Sequence, residues 1–303
     1  MADDGGVNVL EQVTAERYAL YRGDCVEVVR GIPDRSVHYS IFSPPFSSLY
    51  TYSNSPRDMG NCHGDADFLA HLAFLIRELR RVTVPGRLCS FHCMLLPTSK
   101  ERDGYIGLRD FRGDLIRAFQ AEGWIHHAEV VIWKDPVTAM QRTKALGLLH
   151  KTVRDNASMS RQGIPDYLVT MRAPGEVAHQ DRVKHGEEYP VSLWQQIASP
   201  VWTDIQPNDT LQKESAREHD DERHICPLQL EVIRRGIRLW TNQGDVVLSP
   251  FAGIGSEGYV ALEEGRRFVG VELKASYYKQ AAANLARAAQ RAQDATLFSE
   301  VKP

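Results

Sequence analysis

The sequence predicts an α/β protein built on a doubly wound, mostly parallel sheet, and three observations carry that expectation. Short runs rich in β-branched and aromatic residues recur along the chain, amphipathic helical segments separate several of them, and near the C-terminal end a strand runs into a glycine-bearing loop and then a helix. The 303 residues are 43 % hydrophobic and 25 % charged, enough to bury a full core, and 36 Lys and Arg against 39 Asp and Glu leave a formal charge of −3. Disordered and fibrous classes are excluded by that balance. The opening segment, MADDGGVNVLEQVTAER, has neither a basic region nor an apolar one of signal type, and no apolar run approaches the roughly 18 residues of a membrane span. A cytoplasmic protein with no membrane partner is expected.

Taken in order, strands are expected at 37–42 (VHYSIF), 87–93 (RLCSFHC), 128–133 (AEVVIW), 166–171 (DYLVTM), 245–248 (DVVL) and 267–272 (RFVGVE). A helix over 66–82 places Phe68, Leu72, Leu75 and Leu79 on one face, and 109–122 and 228–240 behave alike. The Ala-rich segment 274–293 is expected to pack on the sheet through Tyr277, Ala281 and Leu285. Trp133 is expected to fill core, and His126 and His127 to split between the two faces of their strand. Two regions break the alternation. Between 134 and 172 seven Lys or Arg face three Asp or Glu, whereas 204–223 carries three against seven, so a near-neutral average hides a basic stretch able to meet phosphates. The five cysteines, Cys25, Cys62, Cys89, Cys93 and Cys226, are odd in number and include no C-x-x-C pair, which argues against a disulfide framework. Cys89, His92 and Cys93 lie close in sequence but lack a second ligand pair, so no metal site is expected.

Two loops carry the chemistry. In DVVLSPFAGIGSEGYVALEEGRRFVGVEL (245–273) a strand enters Pro250-Phe251-Ala252-Gly253-Ile254-Gly255-Ser256, and a helix follows. Gly253 and Gly255 let the backbone approach a ligand closely and leave helix N-terminal N–H groups facing it. Glu272 ends the next strand, where an acidic side chain in such folds accepts hydrogen bonds from ribose hydroxyls. The pattern is that of a nucleoside-cofactor site. The third glycine is displaced to Gly258, which suits a pyrophosphate poorly and S-adenosylmethionine better.

The second loop is Ser43-Pro44-Pro45-Phe46, directly after the strand 37–42. Two prolines stop the strand and make its end a rigid turn presenting carbonyl oxygens. A planar base bearing an exocyclic amino group can stack on Phe46 while its two amino hydrogens reach the Ser43 hydroxyl and the Pro44 carbonyl. Both loops leave the carboxyl ends of strands, where open α/β sheets bind their ligands.

Together the two loops resemble those of the DNA amino-methyltransferases, with SPPF matching the catalytic [DNS]-P-P-[YF] tetrapeptide and SPFAGIGS the cofactor loop. The order, tetrapeptide first and cofactor loop last, is similar to that of the circularly permuted β group. HICPLQLEVIRRGIRLW (224–240) resembles the helix before the cofactor loop in that group, and YRGDCVEVV (21–29) its N-terminal Gly-Asp segment. The resemblance implies that Asp24, with Cys25 beside it, contacts the cofactor adenine. Segments 43–61, 199–211 and 220–233 resemble those of phage-borne and solitary bacterial enzymes that modify adenine. Ser249 stands where the family has Asp, and Ser43 where adenine enzymes commonly have Asp and cytosine-N4 enzymes Ser.

The implied reaction is direct methyl transfer from S-adenosylmethionine to an exocyclic amine, adenine N6 being expected ahead of cytosine N4, with a catalytically silent DNA-binding regulator as a further alternative. Carbon-5 cytosine methylation would require a Cys nucleophile in a Pro-Cys dipeptide, and the chain has none. The target must flip out of the duplex. Residues 17–133 are expected to form the catalytic half, 134–165 a basic insertion touching DNA, 166–172 a strand of the core sheet, 173–223 the target-recognition region and 224–293 the cofactor half. Arg142, Lys144, Lys151, Arg154 and Arg161 are the candidate DNA contacts. Tyr50, Tyr52, Arg57, Asp58 and Asn61 either close over the flipped base or belong to a plain surface loop. Double-stranded DNA is the expected partner, a homodimer the expected assembly, and no obligate restriction subunit is evident.

Overall fold

The computed structural model describes residues 9–46, 62, 64–137, 140, 149–186, 189–211 and 227–300. In chain order its elements are β1 (Val9–Thr14), β2 (Tyr18–Gly23), α1 (Cys25–Arg30), β3 (Val37–Phe42), α2 (Asp65–Val82), β4 (Thr83–Met94), β5 (Leu96–Pro97), α3 (Lys100–Asp103), β6 (Leu108–Arg109), α4 (Phe111–Ala121) and β7 (Ile125–Ile132). Then follow α5 (His150–Asn156), β8 (Asp166–Arg172), α6 (Val191–Ile197), β9 (Val201–Trp202), α7 (Leu230–Trp240), β10 (Val246–Ser249), α8 (Ser256–Glu263), β11 (Arg267–Glu272) and α9 (Ala275–Glu300).

Nine strands form one sheet in the order β1-β2-β11-β10-β3-β4-β8-β7-β9, and β5 pairs with β6 in a separate ribbon. The pairings β2–β11, β11–β10, β10–β3, β3–β4 and β7–β9 are parallel, whereas β1 and β8 run against their neighbours. The carboxyl ends of β2, β3, β4, β7, β10 and β11 therefore share one edge of the sheet with the amino end of β8. All the loops that matter below leave from that edge.

Strand alternation sends successive side chains to opposite layers. Tyr39, Ile41, Val247 and Phe268 join a core with Val232, Ile233 and Ile237 of α7, Val260 and Leu262 of α8, and Ala281 and Leu285 of α9. Phe42, Cys89, Phe91, Leu248 and Val271 face the other way, against Val28 and Val29 of α1, Phe68, Leu72, Leu75 and Leu79 of α2, and Leu115 and Phe119 of α4. The sheet is thus covered on both faces, as the fold class requires. The expected faces of α2 and α9 are buried, Ala281 and Leu285 in the first core, but Tyr277 packs in a small separate cluster with Ile254 of the glycine loop rather than on the sheet.

Three features depart from the sequence expectations. The β1–β2 hairpin has no clear signal in the sequence: β1 is largely exposed and lacks a clean alternation, and its place at the sheet edge is set by pairing with β2. Trp133 is half exposed rather than core, because Ile132 before it is the buried residue and alternation turns Trp133 to the other side. Part of 173–223 is built into the sheet. Ile197, Trp202 and Ile205 join the first core, β9 extends β7, and the Arg235 guanidinium of α7 bonds both oxygens of Asp204 at 2.9 and 2.7 Å beneath the Trp202 ring. No described helix is long and apolar enough to cross a membrane.

Candidate active site

The site begins with a strand adjacency. β3 and β10 pair in parallel through Val247 with Tyr39 and Leu248 with Ser40, so the loops leaving their carboxyl ends emerge side by side. Phe42 and Phe251 meet across that gap with ring centroids 5.7 Å apart. Pro44 and Pro45 are buried, while Ser43 and Phe46 are half-buried. The Phe46 ring is held at a steep angle between Phe111, 6.2 Å away, and His92, 6.5 Å away.

The glycine loop is tied to β11 at two points. Ala252 N–H donates to the Val271 carbonyl at 2.8 Å, and Gly253 N–H to Glu272 Oε2 at 2.8 Å, while Glu272 Oε1 accepts from Lys274 N–H at 2.8 Å. Glu272 therefore organises the loop at the carboxyl end of β11. Gly253 and Gly255 both adopt left-handed backbone, with φ of 53° and 87°. A Cβ on Gly253 would meet nothing within 4 Å, whereas one on Gly255 would lie 3.2 Å from Ala281 Cα of α9. The first glycine leaves open space beside its backbone and the second allows α9 to pack close. Pro250 and Ser256 are buried, and Ser249 Oγ is buried without a hydrogen-bond partner among the described residues.

Asp24 follows β2 at the same edge and caps α1, its Oδ1 accepting from Val26 N–H at 2.9 Å and Glu27 N–H at 3.1 Å. Cys25 is buried next to it, and burial pushes its thiol well above the ordinary value, with the Asp24 and Glu272 carboxylates adding to the rise.

Three side chains that no sequence motif groups with this site stand directly behind Ser43. Phe42 pairs with Phe91, so one step further along the register Ser43 comes beside His92, and Ser43 Oγ lies 3.1 Å from His92 Nδ1. On the far side of the ring, His92 Nε2 is 3.0 Å from Asp166 Oδ2, a close approach that the ring N–H does not point along, and Lys134 Nζ is 2.5 Å from the same oxygen. Asp166 is only 3 % exposed. Burial raises its carboxyl, but the neighbouring His92 and Lys134 side chains outweigh this and hold it below the usual carboxylate range. In the sequence His92 stands out only beside two cysteines, and Lys134 only as part of the basic stretch. Among the described residues no group of three His, Cys, Asp or Glu side chains is placed to hold a metal ion.

A family model described as DNA methylase (N6_N4_Mtase) matches residues 37–283, a span that includes the tetrapeptide, the glycine loop and the chain between them. The chain belongs to the DNA methylase family. This methylase is 24 % identical to the Type II methyltransferase M.XycI of Xanthomonas campestris pv. cyanopsidis over 295 residues, covering 88 % of this chain and 87 % of that one. Among solved structures it is similar to TTHA0409 of Thermus thermophilus complexed with S-adenosyl-L-methionine, with a TM-score of 0.64 and 23 % identity over 90 % of this chain and 96 % of the other. It is also similar to the cytosine-N4-specific PvuII DNA methyltransferase, with a TM-score of 0.65 and 13 % identity over 95 % and 97 % of the two chains. At these identities the structural likenesses speak for the fold.

The candidate DNA contacts of the methylase are distributed unevenly. Lys151 and Arg154 stand exposed on α5. Arg161 is half-buried and donates to the Gly107 carbonyl at 2.8 Å, so its guanidinium also ties the insertion to the fold. Arg142, Lys144 and the segment with Tyr50, Tyr52, Arg57, Asp58 and Asn61 lie outside the described residues.

Proposed function

We propose that this DNA methylase methylates the N6 amino group of adenine in a short duplex motif, by flipping the base and transferring the methyl group directly, as a β-group enzyme. The observation that supports amino transfer most strongly is that the SPPF turn and the glycine loop leave adjacent parallel strands, β3 and β10, at one edge of the sheet. S-adenosylmethionine is the cofactor, and when bound it supplies an electrophilic methyl group on a sulfonium. The residues at hand fit it: the open left-handed Gly253 admits a ligand against the backbone, the Glu272 carboxylate stands beside it, and Ser249 Oγ is buried and unpartnered among the described residues. Asp24, Cys25, Pro250, Phe251, Ala252, Gly255 and Ser256 complete the proposed cofactor pocket.

The chain's own part in the reaction is to make a poor nucleophile better. An exocyclic amine is weakly nucleophilic because its lone pair is delocalised into the ring. Acceptors at Ser43 Oγ and the Pro44 carbonyl, holding its two hydrogens, favour the pyramidal nitrogen of the transition state. Phe46 stacks on the base, and Pro45 keeps the turn rigid. Lys151, Arg154 and Arg161, with Arg142 and Lys144, are proposed to meet phosphates.

The adenine target rests on the resemblance of 43–61, 199–211 and 220–233 to solitary adenine-modifying enzymes. Cytosine N4 is the second reading, favoured by Ser43 where adenine enzymes commonly carry Asp. Incubation with genomic DNA and S-adenosylmethionine, followed by digestion to nucleosides and mass spectrometry, tests the choice. N6-methyladenine is the expected product; N4-methylcytosine would transfer the assignment to the second reading, and the absence of both would overturn amino-group methylation of DNA as the activity.

A further inference from the structure

A hydroxyl carries one hydrogen and two lone pairs, so it accepts dependably from an amino group only when its own hydrogen is engaged elsewhere. A carboxylate has no such ambiguity. Ser43 therefore needs a neighbour that takes its hydrogen and never offers one back, and the residues behind it are arranged to provide that.

Asp166 Oδ2 faces His92 Nε2 at 3.0 Å in a site where the carboxylate is 3 % exposed. A carboxylate 3.0 Å from Nε2 favours hydrogen over a lone pair on that nitrogen even though the N–H does not point along the contact, which assigns the hydrogen to Nε2. In the neutral ring Nδ1 is then a bare acceptor, and Ser43 Oγ is 3.1 Å from it. Lys134 at 2.5 Å from the same Asp166 oxygen keeps that carboxylate ionised and in place. Buried charge chains of this kind are weak sources of stability, since apolar residues of similar volume often serve as well. Their position, directly behind a side chain at the carboxyl edge, calls for another account.

We propose, resting on the amino-group transfer above, that His92 and Asp166 are positioning residues: Asp166 fixes the Nε2–H tautomer of His92, and His92 takes the Ser43 hydrogen, turning Ser43 into an acceptor-only group equivalent to a carboxylate. The Ser at this position and the Asp usual in adenine enzymes then do the same work, and the identity of residue 43 by itself does not choose the base.

A double-mutant cycle reads this directly. His92→Ala is expected to lower kcat about 100-fold with the KM values for DNA and cofactor little changed. His92→Gln, whose amide oxygen can still accept from Ser43, is expected to recover most of that loss. In a Ser43→Asp background, where residue 43 needs no partner to be an acceptor, His92→Ala is expected to cost less than about 5-fold. An equal loss in both backgrounds, or a Ser43→Asp protein that folds, binds cofactor and is inactive, would overturn the proposal. Nitrogen-15 NMR of the histidines supplies a readout independent of turnover, with the His92 signals assigned by their absence in His92→Gln. The expected state is Nε2–H with an Nδ1 shift that moves in Ser43→Ala; an Nδ1–H ring or an imidazolium at neutral pH would refute the tautomer. Failure of the wild-type protein to methylate DNA would instead strike the amino-transfer reading, with the NMR result still deciding the state of His92.

Discussion

Glu257 is a carboxyl group on the second residue of α8, fully buried. Desolvation pushes its pKa up to about 8, a backbone hydrogen bond offsets part of this, and the charge of Glu272 adds to the rise. The folded protein thus holds a proton that the unfolded chain releases near the ordinary value of 4.5. Folding stability from this group is intact below about pH 4.5 and is lost as pH rises through about 8, by on the order of a few kcal/mol. Glu257→Gln is expected to raise the Tm by at least ~3 °C at pH 8 and to leave it unchanged near pH 4.5. Scanning calorimetry at the two pH values checks this, and equal shifts at both would show that the carboxyl does not titrate as described. The two proposed halves of the site separate at the same scale. Ser43→Ala combined with Phe46→Ala is expected to abolish methylation while cofactor binding stays nearly intact, whereas Glu272→Ala, which frees the Gly253 and Lys274 N–H groups, is expected to weaken the cofactor mainly. Isothermal calorimetry showing the same loss of cofactor affinity in both variants would refute that division.

At the scale of elements, α8 illustrates how the glycine loop depends on packing beyond its own residues. A Cβ at Gly258 would fall 2.4 Å from Phe268 Cδ1 of β11 and 2.5 Å from Leu285 Cδ2 of α9. The Leu285 methyl has some room to turn, but the Phe268 ring is 1 % exposed and closely surrounded. Gly258→Ala is therefore expected to destabilise by ~1–3 kcal/mol despite its better helix propensity, because overpacking outweighs the gain. Urea unfolding measures the effect, and an unchanged or higher midpoint would show that α8 yields without cost. The elements most legible in the sequence are those whose periodicity spans several turns, such as α2 with its Phe68, Leu72, Leu75 and Leu79 stripe. β1 and β9 are not legible there, since the first is exposed along most of its length and the second is two residues long.

For the whole molecule, a net charge of −3 says little about how DNA is approached, because a basic insertion sits within a near-neutral chain. Lys151 and Arg154 project from α5, away from any buried layer. Removing both is expected to weaken DNA binding about equally on all sequences and to lower the salt slope by up to ~0.9 for each phosphate no longer neutralised. A titration of affinity against salt tests this, and a weakening confined to one sequence context would point to base readout instead. Arg161→Ala is expected to differ, since it also gives up the Gly107 carbonyl and so lowers the Tm.

The fold class, most of the strands and both loops at the carboxyl edge are written in the sequence without help from the rest of the structure. Each is encoded in contiguous residues: short runs of β-branched and aromatic or apolar residues for β3 and β10, two prolines that stop a strand, and glycines that permit left-handed backbone. What stands behind Ser43 is settled by long-range packing instead. His92 is 49 residues away, Lys134 follows β7, and Asp166 opens the antiparallel strand β8, so their meeting depends on strand order and register. A side chain's hydrogen-bond partner across a sheet is set by which strand lies next to it, and no local pattern in the chain records that choice.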